Sequence, residues 1–539
     1  MNSQKRIIFS EIFKSKLLIY AFFIVLHLFL FNINATEWGD SYSILRSAES
    51  IKTGIYPQKE KRPPFFSVVL ATRPHGVNAI SWGRGVVFVF SFASFIFFDK
   101  LVCQHIKSKK YQKFALILFM LNPVYLYWSI RIMSDIPFSF FGILIFYLLS
   151  RWKEKLDIKK SILLGALAGL SILTRFEGYI LFFALFIGVV FLNSGLKLSA
   201  FKPRTFFFGL WHKLKFLLPL GLTTLLVLLP YWFFRSPLDS KYFGEQEYRT
   251  FDWRLIWVYF SSLFYILGFL PFFYFIFKNI FSYKKTGSAV RFLMENVGIS
   301  VYILLEIILI LWWPAAVPRL FSAIIPFFVI LLVLSYEEFQ SNGPHLRALD
   351  YIALAFLIGN FGLTQYIFKL QFLVSNQWAF LFVFILQIII LIFLILRKEK
   401  MFLMFSFISL LVWGLATIWV HRFIYISMKE AAVYAAKNLS GYVIYNDTYG
   451  IADWYLNRSG INKNVYGDRH DVLILHDISY KRISGKNPDY ILLTNENNTD
   501  MYFGIEKRPY LTLVKEFRYT INGKIFFTDI LKFNKEKQQ

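Results

Sequence analysis

Residues 36–57 read TEWGDSYSILRSAESIKTGIYP, directly after the first long apolar run of the chain. Two acids, Glu37 and Asp40, stand at its head. From Asp40 onward Ile44, Ala48, Ile51 and Ile55 recur at helical spacing, with Arg46, Glu49 and Lys52 on other faces. Gly54 and Pro57 provide the stop. The pattern predicts an amphipathic helix of about three and a half turns, too short to cross a bilayer and suited to its interface. Asp40 falls where a helix N-cap is expected; Glu37, one turn earlier, is not needed for a cap.

The rest of the composition puts this stretch in a membrane protein. Hydrophobic residues make up 57% of the chain and aromatic residues 20%, with a mean hydropathy of +0.51. No soluble globule of this length could cover so much apolar surface. The net charge of +26 therefore belongs to loops on the cytoplasmic side of a bilayer, where Lys and Arg collect, and implies no nucleic-acid partner. The single cysteine, Cys103, excludes an intramolecular disulfide and reads as a packing residue.

Thirteen apolar stretches are candidate spans: 17–33, 78–98, 113–130, 136–150, 161–174, 178–193, 216–234, 256–277, 294–313, 318–335, 351–370, 376–396 and 401–420. The loops at 99–112, 151–160, 194–215, 278–291 and 397–400 are basic, as is the N-terminus. Positive-inside asymmetry thus predicts a multi-pass protein of the plasma or inner membrane with a cytoplasmic N-terminus and no cleavable signal. An odd number of spans sends the tail outside, so residues 1–420 form the membrane domain, with the first external loop at 34–77, and 421–539 an extracytoplasmic domain. The tail offers the helical pattern EAAVYAAKNL, YVIY at 442–445, a second helical stretch near 448–458, YILLT at 490–494, and two alternating segments joined by Asn522-Gly523. Asn-Gly between such segments signals a two-residue hairpin. The expected fold class is an α-helical polytopic membrane protein of about thirteen transmembrane helices with a C-terminal α/β domain.

Phosphate loops, dinucleotide fingerprints, HExxH and Cys/His metal spacings are missing from the sequence. What it offers instead is charge at the outer ends of spans: Glu37 and Asp40; Lys61, Arg62, Arg73 and His75; Arg131 and Asp135; Arg175 and Glu177; and Arg319. Basic residues there run against the orientation rule and call for a specific reason. Each also has a plain structural reading: Asp135 at a helix start, Arg131 as a headgroup anchor, Arg175 with Glu177 as a local ion pair, Arg319 on lipid phosphate. Glu306, inside LLEIILI, is the one acid deep in a span.

In order, the set consists of an acid after the first span, a surface helix ending in GIYP, KRPPFFSVVL, SDIPFSFFGILIFYLL, TRFEGYILFF and PRLFSAIIPFFVIL. It resembles the lipid-dependent membrane glycosyltransferases of the GT-C superfamily, and within it glycosyltransferase family 39, the protein O-mannosyltransferase and aminoarabinose-transferase branch. The resemblance implies a catalytic base in the first external loop, by position Asp40 with Glu37 as second choice. The adjacent Asp-Glu pair typical of protein mannosyltransferases is replaced here by Glu37-x-x-Asp40, which leaves the acceptor open among lipid, glycan and protein.

The chemistry suits these residues. Outside the cytoplasm the donor is expected to be a sugar, mannose or a similar hexose or pentose, on a polyprenyl phosphate in the outer leaflet. Its leaving phosphate needs cations rather than a general acid; Lys61, Arg62, Arg73, Arg131, Arg175 and Arg319 are the candidates, with Asp135 and Glu177 beside them. One carboxylate base and no carboxylate nucleophile give inversion in a single displacement. Asp40 and Asp135 have oxygen ligands suited to a divalent ion, but the arginines make one unnecessary, and no cofactor is expected. The competing readings are a glycan polymerase or ligase, a non-catalytic subunit of glycan assembly, and a transporter, which would show internal repeats.

Overall fold

A computed structural model of the chain describes residues 15–56, 60, 62–192, 203–235, 287–313, 318–342, 359, 377–396, 398–446, 450–458, 487–496, 509–521 and 524–534. Its helices, numbered along the chain, are α1 (Lys16–Leu30), α2 (Gly39–Lys52), α3 (Phe65–Ala71), α4 (Ala79–His105), α5 (Lys109–Met120), α6 (Pro123–Trp128), α7 (Asp135–Arg151), α8 (Ile158–Thr174), α9 (Gly178–Val190) and α10 (Pro203–Phe234). After these come α11 (Ser288–Glu295), α12 (Val297–Trp312), a 3-10 turn at Pro318–Ala323, α13 (Ile325–Asn342), α14 (Gln377–Ile395), α15 (Glu399–His421), α16 (Ile426–Asn438) and α17 (Ile451–Arg458). The chain divides into two compact units, Met1–Phe31 with Gln58–Thr417, and Asn32–Pro57 with Ile418–Gln539.

The first unit is helical. Among the described residues three stretches are long and apolar enough to cross a membrane, Ala79–His105, Lys213–Phe233 and Glu399–Asn438, the last continuing past Thr417 into the second unit, and α11 with α12 forms a further pair bent by 96°. The expected spans at 256–277 and, apart from residue 359, at 351–370 lie outside the described residues. Polar caps set several helix starts: Asn78 accepts from the Ile80 and Ser81 amides, and Asp157 from the Lys160 amide. The third expected span, 113–130, is not one helix. Asn122 accepts from the amides of Val124 and Tyr125, and Pro123, lacking a backbone N–H, opens α6 at its first position. The stretch therefore ends as α5 and restarts as α6.

Close backbone approach packs the spans. Gly165 and Gly169 of α8 lie against α10: a Cβ on Gly169 would sit 2.7 Å from the Cβ of Val227, and Thr224 Oγ1 donates to the Gly165 carbonyl at 2.9 Å. This is a small-xxx-small contact of the kind that holds membrane helices together. Gly188 of α9 and Gly298 of α12 make a similar contact, since a Cβ on Gly298 would come within 2.9 Å of the Ala184 carbonyl oxygen. Cys103 is exposed rather than packed.

The second unit carries α2, α16, α17 and a four-stranded sheet of β1 (Val443–Tyr445), β2 (Tyr490–Thr494), β3 (Leu511–Ile521) and β4 (Lys524–Phe533) in the order β1-β2-β4-β3. β1 is parallel to β2, and β4 runs antiparallel to both its neighbours. Ile521 opposes Lys524 at the end of the β3/β4 ladder; the linking Asn522-Gly523 lies outside the described residues. Ile444, Ile491, Leu493, Phe527 and Leu531 form the core of the sheet. Trp454 is buried in this unit. Asn446, although it begins a sequon, is also buried and exchanges hydrogen bonds with the Thr494 backbone at 2.7 and 2.8 Å.

Candidate active site

The first unit gathers charge around the α8–α9 turn. Arg175 follows α8 in an extended conformation, and Glu177 sits just ahead of α9. The turn closes on Gly178, where a Cβ would meet the Ile172 backbone at 2.5 Å. Arg175 donates through Nη1 to Asp135 Oδ1 at 2.8 Å and through Nε to Glu177 Oε1 at 3.1 Å; Nη2 also pairs with Glu177. The Asp135 side chain is 1% exposed and that of Arg175 16%. Oδ2 of Asp135 is buried with no hydrogen-bond partner among the described residues. Burial alone would raise the Glu177 carboxyl, but the charge and hydrogen bond of Arg175, with Arg319 adding a smaller share, hold it below its ordinary value.

Two further arginines lie on neighbouring rings. The Arg131 guanidinium is 5.1 Å from the Tyr127 ring centre and that of Arg319 is 5.6 Å from Trp128, and the two rings meet edge to face at 4.9 Å. Ser139 Oγ donates to the Ser322 carbonyl at 3.3 Å, tying α7 to the turn that carries Arg319. Glu306 is buried on α12, one turn beyond Tyr302, within electrostatic reach of Arg175 and Glu177. Arg131, Asp135, Arg175, Glu177 and Arg319 are thus brought together in the first unit. Three arginines stand beside the two carboxylates Asp135 and Glu177.

Other sequence-predicted residues have different settings. Arg62 pairs with Glu60 at 3.1 Å, and Arg73 Nη1 donates to the Val77 carbonyl. Lys61 lies outside the described residues. Arg84, away from the span ends, is buried within α4 and donates to the Phe31 carbonyl at 3.3 Å.

Glu37 and Asp40 belong to the second unit. α2 starts at Gly39, its N-cap is Trp38, and no side chain caps it. Asp40 therefore does not cap the helix; it sits in the first turn, half-buried, where the helix dipole favours a negative charge. Glu37 is fully buried, its amide donating to Tyr42 Oη at 3.2 Å. The buried face of α2 includes Tyr42, Ile44, Leu45 and Ala48, so it keeps Ile44 and Ala48 of the expected stripe. Ile55 lies beyond the helix end and is 64% exposed. Tyr42 packs on Trp454 and Tyr455. Arg46 reaches the Gly450 carbonyl at 2.7 Å and Asp453 at 3.2 Å.

The family described as dolichyl-phosphate-mannose-protein mannosyltransferase matches residues 84–220. No curated protein sequence matches the chain. The crystal structure of ArnT from Cupriavidus metallidurans bound to undecaprenyl phosphate superposes with a TM-score of 0.59 at 13% identity, over 95% of this chain and 97% of that one. Its apo form gives 0.58 at 13% identity with the same coverage. The chain has the GT-C fold and resembles glycosyltransferase family 39. The family match begins at Arg84 and takes in Arg131, Asp135, Arg175 and Glu177. Nearly all of the arginine and carboxylate cluster thus lies in the matched segment.

Proposed function

We propose that this protein is a membrane glycosyltransferase that takes a sugar from a polyprenyl-phosphate donor on the extracytoplasmic face and passes it to an acceptor by inverting single displacement. The observation that carries the reading is the buried Asp135–Arg175–Glu177 cluster with Arg131 and Arg319 beside it. Arg131, Arg175 and Arg319 would stabilise the leaving phosphate, whose charge is already held on oxygen and needs no proton. Asp135 and Glu177 fix the Arg175 fork, so that it is oriented before the phosphate arrives. Lys61, Arg62 and Arg73 are secondary candidates for the same anion. Cationic side chains supply the charge in this proposal, and no metal is required by it.

Asp40 is assigned as the base that accepts the proton of the acceptor hydroxyl as the new bond forms. Its half-buried place in the first turn of α2 favours it over the fully buried Glu37. The test is turnover of undecaprenyl-phosphate sugars by the protein in lipid nanodiscs. Asp40→Asn is expected to lower kcat by about 10²–10⁴-fold, the size of a general-base contribution, with donor binding retained. Parent-level turnover in folded Asp40→Asn would move the base to Glu37 or elsewhere. A parent protein that binds these lipids without turnover would favour a non-catalytic subunit.

A further inference from the structure

Where α15 ends, the structure carries a cation with no assigned purpose. The Arg422 guanidinium lies 3.0 Å from the Trp419 ring centre and 4.5 Å from that of Phe423. Trp419 is 60% exposed and Phe423 38%. Among the described residues no carboxylate pairs with Arg422. Stacking uses the faces of a guanidinium and leaves its N–H edge available. The group stands at the C-terminal end of α15, Glu399–His421, the kind of position where Trp is favoured in a spanning helix. By the sequence topology this is the outer side, where a basic residue calls for a specific reason.

We propose that Trp419, Arg422 and Phe423 form a binding site for the phosphate of an anionic bilayer phospholipid, and that its occupancy steadies the segment carrying Asp40. A bilayer phospholipid is the occupant because the site follows directly on α15, the helix of the expected last span, and phospholipid phosphates are the resident anions at the end of a span. The coupling runs through the backbone. The Ala35 amide donates to the Arg422 carbonyl at 2.8 Å, and Lys429 Nζ to the Ala35 carbonyl at 2.8 Å. Thr36 Oγ1 bonds the Ile424 carbonyl, and Trp38 packs on His421 and Tyr425. Tyr425 has φ 57°, a left-handed conformation that a non-glycine residue keeps only when its surroundings impose it. A headgroup held on Arg422 adds to those surroundings. The relevance of this segment to catalysis rests on the transferase reading; lipid binding does not.

The experiment is hydrogen exchange of amides 35–42 in nanodiscs of phosphatidylcholine alone, with phosphatidylglycerol, or with undecaprenyl phosphate. Phosphatidylglycerol is expected to slow exchange in the parent about tenfold, the size of one charge-assisted hydrogen bond. Arg422→Gln and Trp419→Ala are expected to lose the effect, Arg422→Lys to keep part of it, and Trp419→Phe most of it. The proposal is overturned if phosphatidylglycerol protects no better than phosphatidylcholine in the parent, if Arg422→Gln is still protected, or if only undecaprenyl phosphate protects. Because exchange is read without turnover, a failed transferase reading leaves this result interpretable.

Discussion

Removing Arg175 would leave Asp135 and Glu177 facing each other in a site that largely excludes water. Breaking a buried ion pair from one side costs about 3–5 kcal/mol, because the remaining charge keeps its desolvation penalty. Arg175→Met is therefore expected to destabilise the detergent-solubilised protein by about that amount in chemical unfolding, and Arg175→Lys by less, since a point charge replaces a fork that serves two carboxylates. Glu177 adds a pH signature. Its carboxyl is held below the ordinary 4.5, so its stabilising contribution is complete above that value and is lost as pH falls through the folded-state value. The stability difference between the parent and Glu177→Gln should stay constant from neutral pH down to about 4.5 and shrink below it. A difference that instead grew on acidification would remove Glu177 from the ion pair. The sequence showed the Arg175–Glu177 pair as two neighbours in TRFEG. It could not show Asp135 joining them across 40 positions, because that contact exists only once α7 and α8 pack.

Elements were legible where periodicity and punctuation agreed. YILLT is β2 without adjustment, and the two alternating segments are β3 and β4. The break at Asn122-Pro123 was missed because hydropathy runs through it unchanged, whereas backbone hydrogen bonding does not. The start of α2 was misplaced for a related reason: Asp40 is a residue type that can cap, yet the N-cap is Trp38, two residues earlier, and the helix begins at Gly39. Gly165 and Gly169 were likewise invisible as a motif until α10 supplied the facing backbone. Gly169→Ile would force branched atoms towards Val227 and the Thr224 carbonyl, 2.7 and 3.3 Å from the site of a Cβ. We expect a loss of about 1–3 kcal/mol from overpacking, read as a lower unfolding temperature. Gly221→Ala, where a Cβ meets nothing within 4 Å, should leave that temperature unchanged.

At the scale of the whole molecule, the membrane class was legible from hydropathy alone, and the ordered motifs carried the resemblance that the fold supports. The grouping of residues 32–57 with 418–539 was not legible, since it depends on contacts such as Arg46 to Asp453, 407 positions apart. That grouping sharpens the topological expectation. Helix α2 and the sheet are one compact unit, so both must lie on the same side of the membrane, whatever the number of spans between them. The basic loops then choose the side: Lys and Arg collect at 99–112, 151–160 and 397–400, and such loops stay in the cytoplasm. A reporter active only outside the cytoplasm, fused after Gln539, is expected to be active, and a cysteine placed at the exposed Gly54 should react with an impermeant thiol reagent in intact cells. Cys103, exposed in the last turn of α4 within the basic segment 99–112, should stay unlabelled until the cells are opened. An active terminal reporter with a protected position 54 would break the unit apart, and an inactive reporter with a protected position 54 would invert the whole protein and remove Asp40 from any extracytoplasmic chemistry.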